Sequence, residues 1–572
     1  MKKIPYGLSD FVEIRQENFY YVDKTDYIRV LENLGRYLFL VRPRRMGKSL
    51  LLSVLDAYYD IDKKDKFEHI FSGTKIYQGP TEERSSYFTL SLNFSLINPQ
   101  PDHLEESFEN YTNTELNRFL RRYKNYFNAD LCREVKKLNR FADKLNCLFA
   151  HLKDQKDAKL YILIDEYDNF TNTILSAQGR DPYISLTHGE GFLRYFFNIL
   201  KGGTTGNSAP IKRLFITGVS PVTMDDVTSG FNIGEQISLH AQVAGILGFT
   251  EAETRDILAY YLEQPKESHY DTVSSWYNNY RFSKKETTSV FNSDMVLYYT
   301  KSIIQNSLED YIDENVKTDY KKLKHLTLLN DNLTGNFNIL REVLDNGHIT
   351  ADVNKSFPVD KLVDPNNFVS LLYYLGLLSI GKAKQGEQYL KIPNETVKRL
   401  YYEYIRSAYE DVGIFNLDIL KFNRLMAGMA YRGEWRNVFS YLVEEMKKWT
   451  KIRDYIRGEK VVQTFLLAYL NIADYFLVHS EYESNKGFAD LYCEPFFAKY
   501  PDIPYAYLIE VKYLSSARDS KKQRERVISK AEEQLSKYAD DSLLKASSRN
   551  VKLKKITVLF VGCEIAYAAE VS

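Results

Sequence analysis

The sequence has few cysteines, no clustered metal-ligand motifs and no excess of charge of either sign. Its four cysteines are scattered through 572 residues without a CxxC pair. This pattern argues against a disulfide framework or a structural zinc site and predicts a reducing compartment. The nine histidines form no HxxxH or HxH cluster. Lysine plus arginine and aspartate plus glutamate both total 76, so any preference for nucleic acid must be local.

Long apolar segments are also missing. The longest apolar runs, such as 371–380, fall well short of the roughly 18–20 residues needed to span a bilayer. The N-terminus has two lysines but lacks the apolar stretch of a signal peptide. We therefore expect a cytoplasmic protein without a membrane partner.

The length predicts several domains, because one hydrophobic core rarely organises more than about 250–300 residues. An apolar content of 44% and a charged content of 27% are typical of a globular chain. We place the domains at 1–248, 249–455 and 456–572. Residues 1–36 are expected to cap the sheet of the first domain.

A candidate phosphate-binding loop follows the first apolar strand, at 38–41. The triplet GKS at 47–49 lies where this strand gives way to a helix. At such a junction, backbone N–H groups and the helix dipole face an anion, lysine reaches the terminal phosphates and serine binds Mg²⁺. Arg42 occupies the place of the first glycine in the usual GxxxxGK[ST] pattern, and a chance match is the alternative. The expected nucleotide contacts are Arg45, Gly47, Lys48 and Ser49.

A second apolar segment, 159–164, ends in Asp165 and Glu166. This pattern is typical of a buried parallel strand that brings carboxylates to the ligand-binding edge of an α/β sheet. We expect Asp165 to bind Mg²⁺ and Glu166 to polarise the attacking water. A strand that simply ends in an acidic turn is the alternative.

Two more strands, 87–94 and 213–221, complete the expected sheet, with a charged helical insertion at about 102–155. The polar end of the later strand would place Thr217 or Ser220 beside the γ-phosphate, unless such a residue only caps the strand. Arg194 and Arg213 are both candidates for a transition-state arginine, and the sequence does not choose between them.

The central region, 249–455, is mostly helical and rich in tyrosine. Helix 367–378, a hairpin around Gly381–Tyr389 and a following helix suit a winged-helix unit. Its wing would contact nucleic acid or pack against protein, and both alternatives stay open.

The carboxyl-terminal region is predicted to contain several strands, in contrast to the mostly helical central region. A helix at 459–473 precedes strands at 475–480, 487–492 and 505–513, a charged helix at 519–538 and a last strand at 556–561. Glu510 and Lys512 share one face of their strand because side chains alternate, and Asp490 joins them if the neighbouring strands pair. Two carboxylates would bind Mg²⁺ and so activate water, while the lysine orients that water and offsets transition-state charge.

Basic residues are concentrated after this strand. The segment from Val511 to Lys530 contains seven basic residues and only two acidic ones, a composition that suits a phosphate-binding surface. A solvated helix face is an equal alternative. Gln534, further along the helix, would point back at the carboxylates.

Short motifs spread over most of the chain carry a family resemblance. They lie at 22–25 (VDKT), 42–49 (RPRRMGKS), 163–168 (LIDEYD), 216–218 (ITG), 248–251 (GFTE), 276–277 (WY), 280–282 (YRF), 392–394 (IPN), 487–490 (GFAD) and 510–512 (EVK). Together they resemble the AAA-ATPase-like proteins that carry a C-terminal PD-(D/E)XK nuclease domain. That family tolerates arginine at the position of Arg42.

The resemblance implies an α/β fold. A P-loop NTPase with a parallel sheet and helices on both faces would precede a mainly helical region with a winged-helix-like unit. A small restriction-endonuclease-like α/β domain would follow. Nucleotide binding is implied for Lys48, Ser49 and Asp165, and metal-dependent nuclease chemistry for Asp490, Glu510 and Lys512, with ATP and Mg²⁺ as cofactors.

Two details of the resemblance concern the nuclease part. An acidic residue on the first helix often completes such sites, and Glu459 fits that place. The family often has Gly-Arg-x-Asp, whereas this chain has phenylalanine at 488, so one phosphate contact is expected to be missing while the metal ligands remain.

Three functions compete. The first is an ATP-regulated, Mg²⁺-dependent nuclease that acts on DNA rather than RNA. Such a protein would have links to mobile elements or anti-phage defence, and it would form a homo-oligomer through its ATPase domain. The second is a nucleotide-dependent interaction module whose nuclease-like domain binds without cutting. The third is a scaffold in which both sites are relics.

Overall fold

The computed structural model describes residues 1–571 except 128, 156–157, 179, 189–190, 223–232, 263–265, 286–287, 318–335, 363, 383–386, 412–414, 450–457, 485–486, 498 and 539–550. The chain forms two compact units. The first comprises Met1–Ser307, Ile312–Leu329 and Ile349–Val397, and the second comprises Leu308–Tyr311, Asn330–His348 and Lys398–Ser572. None of the helices in the described ranges has the length and apolar character needed to cross a bilayer.

The first unit begins as an α/β structure. Its strands are β1 (Tyr37–Val41), β2 (Phe88–Asn93), β3 (Leu160–Asp165), β4 (Ile211–Gly218) and β5 (Glu235–Gln236). Its helices are α1 (Phe11–Gln16), α2 (Tyr27–Leu34), α3 (Lys48–Tyr59), α4 (Phe67–Phe71), α5 (Pro101–Arg122), α6 (Ala129–Lys137), α7 (Phe141–Asp154), α8 (Asn169–Gln178), α9 (Arg180–Thr187) and α10 (Phe192–Gly203).

These five strands form one parallel sheet in the order β2-β3-β4-β1-β5. All six residues of β3 are buried, which explains why its sequence is apolar without alternation. Because the strands are parallel, the carboxyl ends of β1, β3 and β4 share one edge. The loop after β1 and the acids at the end of β3 therefore meet at that edge.

The rest of the first unit is mainly helical. Its elements are α11 (Glu251–Tyr261), α12 (Glu267–Tyr277), α13 (Ser293–Ile304), β6 (His348–Thr350), α15 (Pro365–Tyr374), β7 (Ser379–Ile380), β8 (Tyr389–Lys391) and the start of α16 (Glu395–Asp411), with α14 (Asn336–Asn346) belonging to the second unit. The small strands form a sheet in the order β6-β8-β7.

The expected helix, hairpin and helix of a winged-helix unit are present as α15, β7–β8 and α16. Every residue of α15 from Asn367 to Tyr374 is buried, so this helix packs inside the unit and has no free face for a DNA groove. The tip of the hairpin, 383–386, lies outside the described residues.

The second unit contains the remaining elements. They are α14, the body of α16, α17 (Ile419–Arg432), α18 (Trp435–Lys448), α19 (Glu459–Leu470), β9 (Phe476–Ser484), β10 (Gly487–Pro495), β11 (Tyr505–Leu514), α20 (Lys521–Tyr538), β12 (Lys552–Val561) and β13 (Glu564–Val571). The sheet order is β13-β12-β11-β10-β9. Only β11 and β12 are parallel, and α20 connects them.

The predicted fold class is confirmed, with one wrong detail in the second unit. Strand 556–561 was expected to be the last, yet β13 follows it and pairs with β12. Strand β13 lies at the sheet edge, is mostly half-exposed and contains three alanines, so neither burial nor β-propensity marks it in the sequence. The domain boundaries stay a prediction, and the one near 455 lies outside the described residues.

Candidate functional sites

The loop between β1 and α3 has the backbone of an anion site. Gly47 precedes α3 with φ of +96°, and Arg45 is also left-handed with φ of +61°. Left-handed residues in such a loop turn successive N–H groups toward one point, and the amino end of α3 adds its positive partial charge. This backbone conformation supports the predicted anion-binding loop, whose binding of an anion stays a prediction.

Lys48 and Ser49 begin helix α3, and their side chains contact the preceding loop and the end of β3. Lys48 is buried, and its Nζ donates to the carbonyls of Arg42 (3.1 Å) and Pro43 (2.9 Å). Burial lowers its pKa. Ser49 Oγ donates to Asp165 Oδ2 at 2.5 Å. The carboxylate at the end of β3 therefore lies beside the serine expected to share a Mg²⁺ with it.

Three other polar groups occupy the same edge of the sheet. Burial raises the pKa of Asp165, and a cation at this carboxylate would restore its ionised form. Glu166 has a left-handed φ of +48°, a conformation that costs energy for a residue with a side chain. Thr217 is buried on β4, and its hydroxyl has no hydrogen-bond partner within the described chain. The predicted roles of these residues remain predictions.

Arg42, at the position of the usual first glycine, is a buried structural residue. Its Nη1 donates to the carbonyls of Val41 (3.0 Å) and Ser238 (2.6 Å), and its Nη2 donates to Val243 (3.2 Å). The guanidinium also lies 4.0 Å from the centre of the Phe282 ring. Burial lowers its pKa to about 10. The arginine joins the loop to two later segments, which the sequence alone did not reveal.

Replacing Arg42 by the glycine of the usual pattern is therefore expected to destabilise the first unit. Loss of three charge-assisted bonds to buried carbonyls costs on the order of 3–5 kcal/mol and lowers the melting temperature by roughly 10 °C. Differential scanning calorimetry measures the shift. The Arg42→Lys variant keeps the charge but has fewer hydrogen-bond donors. Its melting temperature should lie between those of the wild-type protein and Arg42→Gly. An unchanged melting temperature in Arg42→Gly would contradict this structural role.

The outer side of the loop is held by residues that the sequence reasoning missed. Ser293 Oγ donates to the Arg45 carbonyl at 3.2 Å, and the N–H of Gly248 donates to the Met46 carbonyl at 3.0 Å. Arg45 Nη1 forms an ion pair with Asp294 at 2.8 Å. The start of α13 thus fixes the loop, and Arg45 is engaged by a carboxylate.

A cavity of about 420 Å³ lies against the loop, within the size range of small-molecule sites. Loop residues 44–51 line one side, together with Glu166. Aromatic and aliphatic side chains line much of the rest, among them Tyr20, Tyr21, Val22, Ile28, Leu247 and Phe249, together with the polar residues Ser9, Lys24, Ser293 and Asp294. The N-terminal segment, expected only to cap the sheet, therefore also forms a wall of this cavity.

Two buried charged residues near the sheet have structural partners. Arg213 binds Glu83 through Nε–Oε2 (2.5 Å) and Nη2–Oε1 (2.7 Å), near the amino end of β4. This is the end of the sheet opposite the loop between β1 and α3, so the structure does not bring Arg213 to the candidate site of its own chain. Asp168, which sequence reasoning did not single out, accepts from the N–H groups of Val219 and Ser220. Arg194 on α10 stays a candidate.

The second unit contains a separate polar cluster on β10 and β11. These strands are antiparallel with Leu491 opposite Ile509, which places Asp490 beside Glu510. Asp490 Oδ2 accepts from the N–H of Val511 at 2.8 Å. The pairing on which the predicted site depended is therefore present.

Lys512 lies among three carboxylates. Its Nζ is 2.9 Å from Glu510 Oε1, 3.2 Å from Glu459 Oε1 and 3.4 Å from Asp490 Oδ2. Burial alone would lower the pKa of Lys512, but the three carboxylates outweigh it and raise that pKa. The structure thus brings Glu459, at the first position of α19, to the predicted trio. Gln534 is half-buried on α20, and its role stays a prediction.

Burial and the charge of Asp490 raise the pKa of Glu510 to about 7, and burial also raises that of Asp490. Glu510 Oε2 is buried without a hydrogen-bond partner in the described chain. Two such carboxylates fit a divalent cation, which would supply the missing interaction. The described residues contain no preformed group of three or more His, Cys, Asp or Glu ligands. Mg²⁺ does not need one, because it commonly binds one or two carboxylates plus water and phosphate.

Mg²⁺ affinity at this cluster is expected to increase with pH. Glu510 must lose its proton to bind a cation, and with a pKa of about 7 its ionised fraction grows roughly tenfold between pH 6 and pH 8. The free energy of unfolding of the metal-free protein depends on pH in the opposite direction. Between the unfolded and folded pKa values, the folded state without metal binds more protons, so its stability decreases as pH rises.

Isothermal titration of Mg²⁺ at pH 6, 7 and 8, without nucleotide, measures this dependence. The Glu510→Gln variant is the control, because it removes the titrating carboxyl and should lose both tight binding and the pH dependence. Equal affinity of the wild-type protein at all three pH values would contradict the prediction.

Comparison with known proteins agrees with these two structural regions. Residues 5–228 match the family model of a predicted AAA-ATPase, and residues 457–570 match that of the PD-(D/E)XK nuclease superfamily. An uncharacterized protein in the vnfD 5' region of Azotobacter chroococcum mcd 1 is 25% identical over 307 residues, or 52% of each chain. The match thus covers about half of the length of this curated relative. The chain carries a predicted AAA-ATPase domain followed by a PD-(D/E)XK nuclease superfamily domain, the architecture that its motifs predict.

Proposed function

We propose that this protein is an ATP-binding and ATP-hydrolysing nuclease that cleaves DNA phosphodiester bonds with Mg²⁺ under nucleotide control. The observation that carries the proposal is the cluster of Asp490, Glu510 and Lys512, with a buried and unpaired carboxylate oxygen. Its presence in the same chain as a phosphate loop favours regulation by ATP.

At the first site, the N–H groups of the loop and Lys48 would bind the phosphates, and Ser49 with Asp165 would hold Mg²⁺. The contact between Ser49 and Asp165 supports this assignment. The apolar wall of the cavity suits the base and ribose. Glu166, which lines the cavity, would polarise the attacking water, and Thr217 would contact the γ-phosphate.

At the second site, Asp490 and Glu510 would hold Mg²⁺, which lowers the pKa of a bound water and stabilises charge on the phosphate. Lys512 would orient that water and donate to the phosphate oxygens as negative charge develops. The high pKa of Lys512 supports this role, because the lysine keeps its charge throughout the working pH range. Glu459 would help to hold Lys512 in place.

DNA is favoured over RNA as the substrate. A homo-oligomer formed through the ATPase domain, a cytoplasmic location and a role in defence or mobile-element biology are further proposals. The alternative function is a nucleotide-dependent regulatory module whose nuclease-like domain binds nucleic acid without cutting it.

Cleavage assays on plasmid DNA, single-stranded DNA and RNA test the proposal. The purified full-length protein should cut DNA with Mg²⁺ but not with EDTA, and ATP should change the rate. Nucleotide binding without cleavage of any of the three substrates, with or without ATP, would favour the regulatory module instead.

A further inference from the structure

Helix α20 and the turn before it carry a group of exposed basic side chains. Arg518, Lys521, Lys522 and Arg526 are exposed, and no ion pair or side-chain hydrogen bond of theirs occurs within the described residues. We call these four residues the basic stripe. They lie in a chain whose basic and acidic residues are equal in number, so the local excess is a property of this surface.

Several other basic side chains of the second unit are paired with carboxylates, unlike those of the basic stripe. Arg524, on the same helix, binds Asp519 through two contacts of 2.6 and 2.5 Å. Lys537 near the end of α20 pairs with Glu533 at 2.7 Å, and Lys554 on β12 pairs with Glu570 at 2.9 Å. Ion pairing with a carboxylate therefore distinguishes Arg524, Lys537 and Lys554 from the basic stripe.

Measured along β11, the basic stripe lies at the same height as the cluster of Asp490, Glu510 and Lys512. Helix α20 runs opposite to β11, and its Leu535 packs in one cluster with Leu508 of that strand. From Leu535, a rise of 1.5 Å per residue places Arg526 about 14 Å along the helix. From Leu508, a rise of about 3.3 Å per residue places Lys512 about 13 Å along the strand in the same direction.

The chemistry of the stripe favours a regular polyanion. Lys522 and Arg526 are four residues apart and project from the same face of the helix. The segment 516–530 contains no aromatic residue, so it lacks the platforms on which single-stranded bases stack. Contacts would be made by charge to the phosphate backbone, without reading the base sequence.

We propose that the basic stripe binds the phosphate backbone of duplex DNA next to the Asp490–Glu510–Lys512 cluster. This inference rests on the proposed nuclease function, for which it names the surface that holds the substrate. Because the contacts are electrostatic, each one releases counter-ions from the DNA and contributes about 0.9 to the slope of log affinity against log salt.

Fluorescence anisotropy with a labelled 20-base-pair duplex tests the stripe, using full-length protein in EDTA from 50 to 300 mM salt. The double variant Lys522→Gln with Arg526→Gln should bind about 60-fold more weakly at 0.1 M salt and reduce the slope by about 1.8. The control, Lys537→Gln with Lys554→Gln, changes the net charge equally but removes paired lysines. It should bind like the wild-type protein.

Three results would overturn the inference. Equal affinity and slope in both double variants, with wild-type cleavage intact, would reject the stripe and leave the nuclease assignment standing. Tighter, stripe-dependent binding of single-stranded DNA would reject the duplex as the partner. Absence of both duplex binding and cleavage in the wild-type protein would reject the stripe together with the proposed function.

Discussion

Asp490→Asn is expected to abolish Mg²⁺-dependent DNA cleavage, with a loss of rate on the order of 10³-fold or more. Asparagine keeps the size of the side chain and an oxygen that can accept from the N–H of Val511, as Asp490 does at 2.8 Å. It removes one of the two carboxylates proposed to hold the metal. Supercoiled plasmid converted to open-circular and linear forms, followed over time, measures the loss.

The control for this variant is Asp502→Asn, which neutralises an exposed carboxylate of the same unit whose described contact is with Tyr431. It should cleave at the wild-type rate. The melting temperature of Asp490→Asn should stay within a few degrees of wild type, because the lost pairing with Lys512 is offset by relief of repulsion with Glu510. Persistent cleavage by a folded Asp490→Asn protein would reject the site assignment.

Lys48→Ala is expected to remove the stabilisation that ATP and Mg²⁺ give to the wild-type protein. A ligand at about 100 times its Kd stabilises a native protein by about 2.7 kcal/mol, which corresponds to a rise in melting temperature of roughly 5–10 °C for a domain of this size. The variant loses the ammonium proposed to bind the terminal phosphates. Thermal unfolding with and without ATP and Mg²⁺ measures the difference.

Lys66→Ala is the matched control, since Lys66 is an exposed lysine of the same unit. It should retain the full ATP-dependent shift. Cleavage by Lys48→Ala should also stop responding to ATP if nucleotide controls the nuclease. An ATP-dependent shift of wild-type size in Lys48→Ala would show that the nucleotide binds elsewhere.

The sequence was informative where a local pattern has a local physical cause. An apolar run followed by Gly47, Lys48 and Ser49 predicts a strand, an anion-binding turn and a helix, and β1 and α3 lie there. Alternation along a strand places Glu510 and Lys512 on one face, and their side chains are 2.9 Å apart. Such features depend on neighbouring residues, so they can be recognised before the fold is known.

Sequence reasoning failed where a side chain acts on distant segments. Arg42 looked like a defect in a glycine pattern, yet it binds the carbonyls of Ser238 and Val243. Arg213 was one of two candidates for a transition-state arginine between which the sequence did not choose, and it pairs with Glu83. The sequence does not show whether an isolated arginine has a structural or a catalytic role. Only its neighbours in the folded structure distinguish the two roles.

The sequence by itself predicted the AAA-ATPase-like and nuclease-like regions, the candidate phosphate-binding loop and the carboxylates and lysine on β10 and β11. Tertiary structure decided what surrounds them: the wall that residues 20–28 contribute to the cavity, the contacts of α13 with the loop and the hydrogen bonds of Arg42. The physical reason is the range of the interactions. Periodicity and turn chemistry act over a few residues, whereas burial, ion pairing and cavity shape depend on segments hundreds of residues apart that only the folded chain brings together.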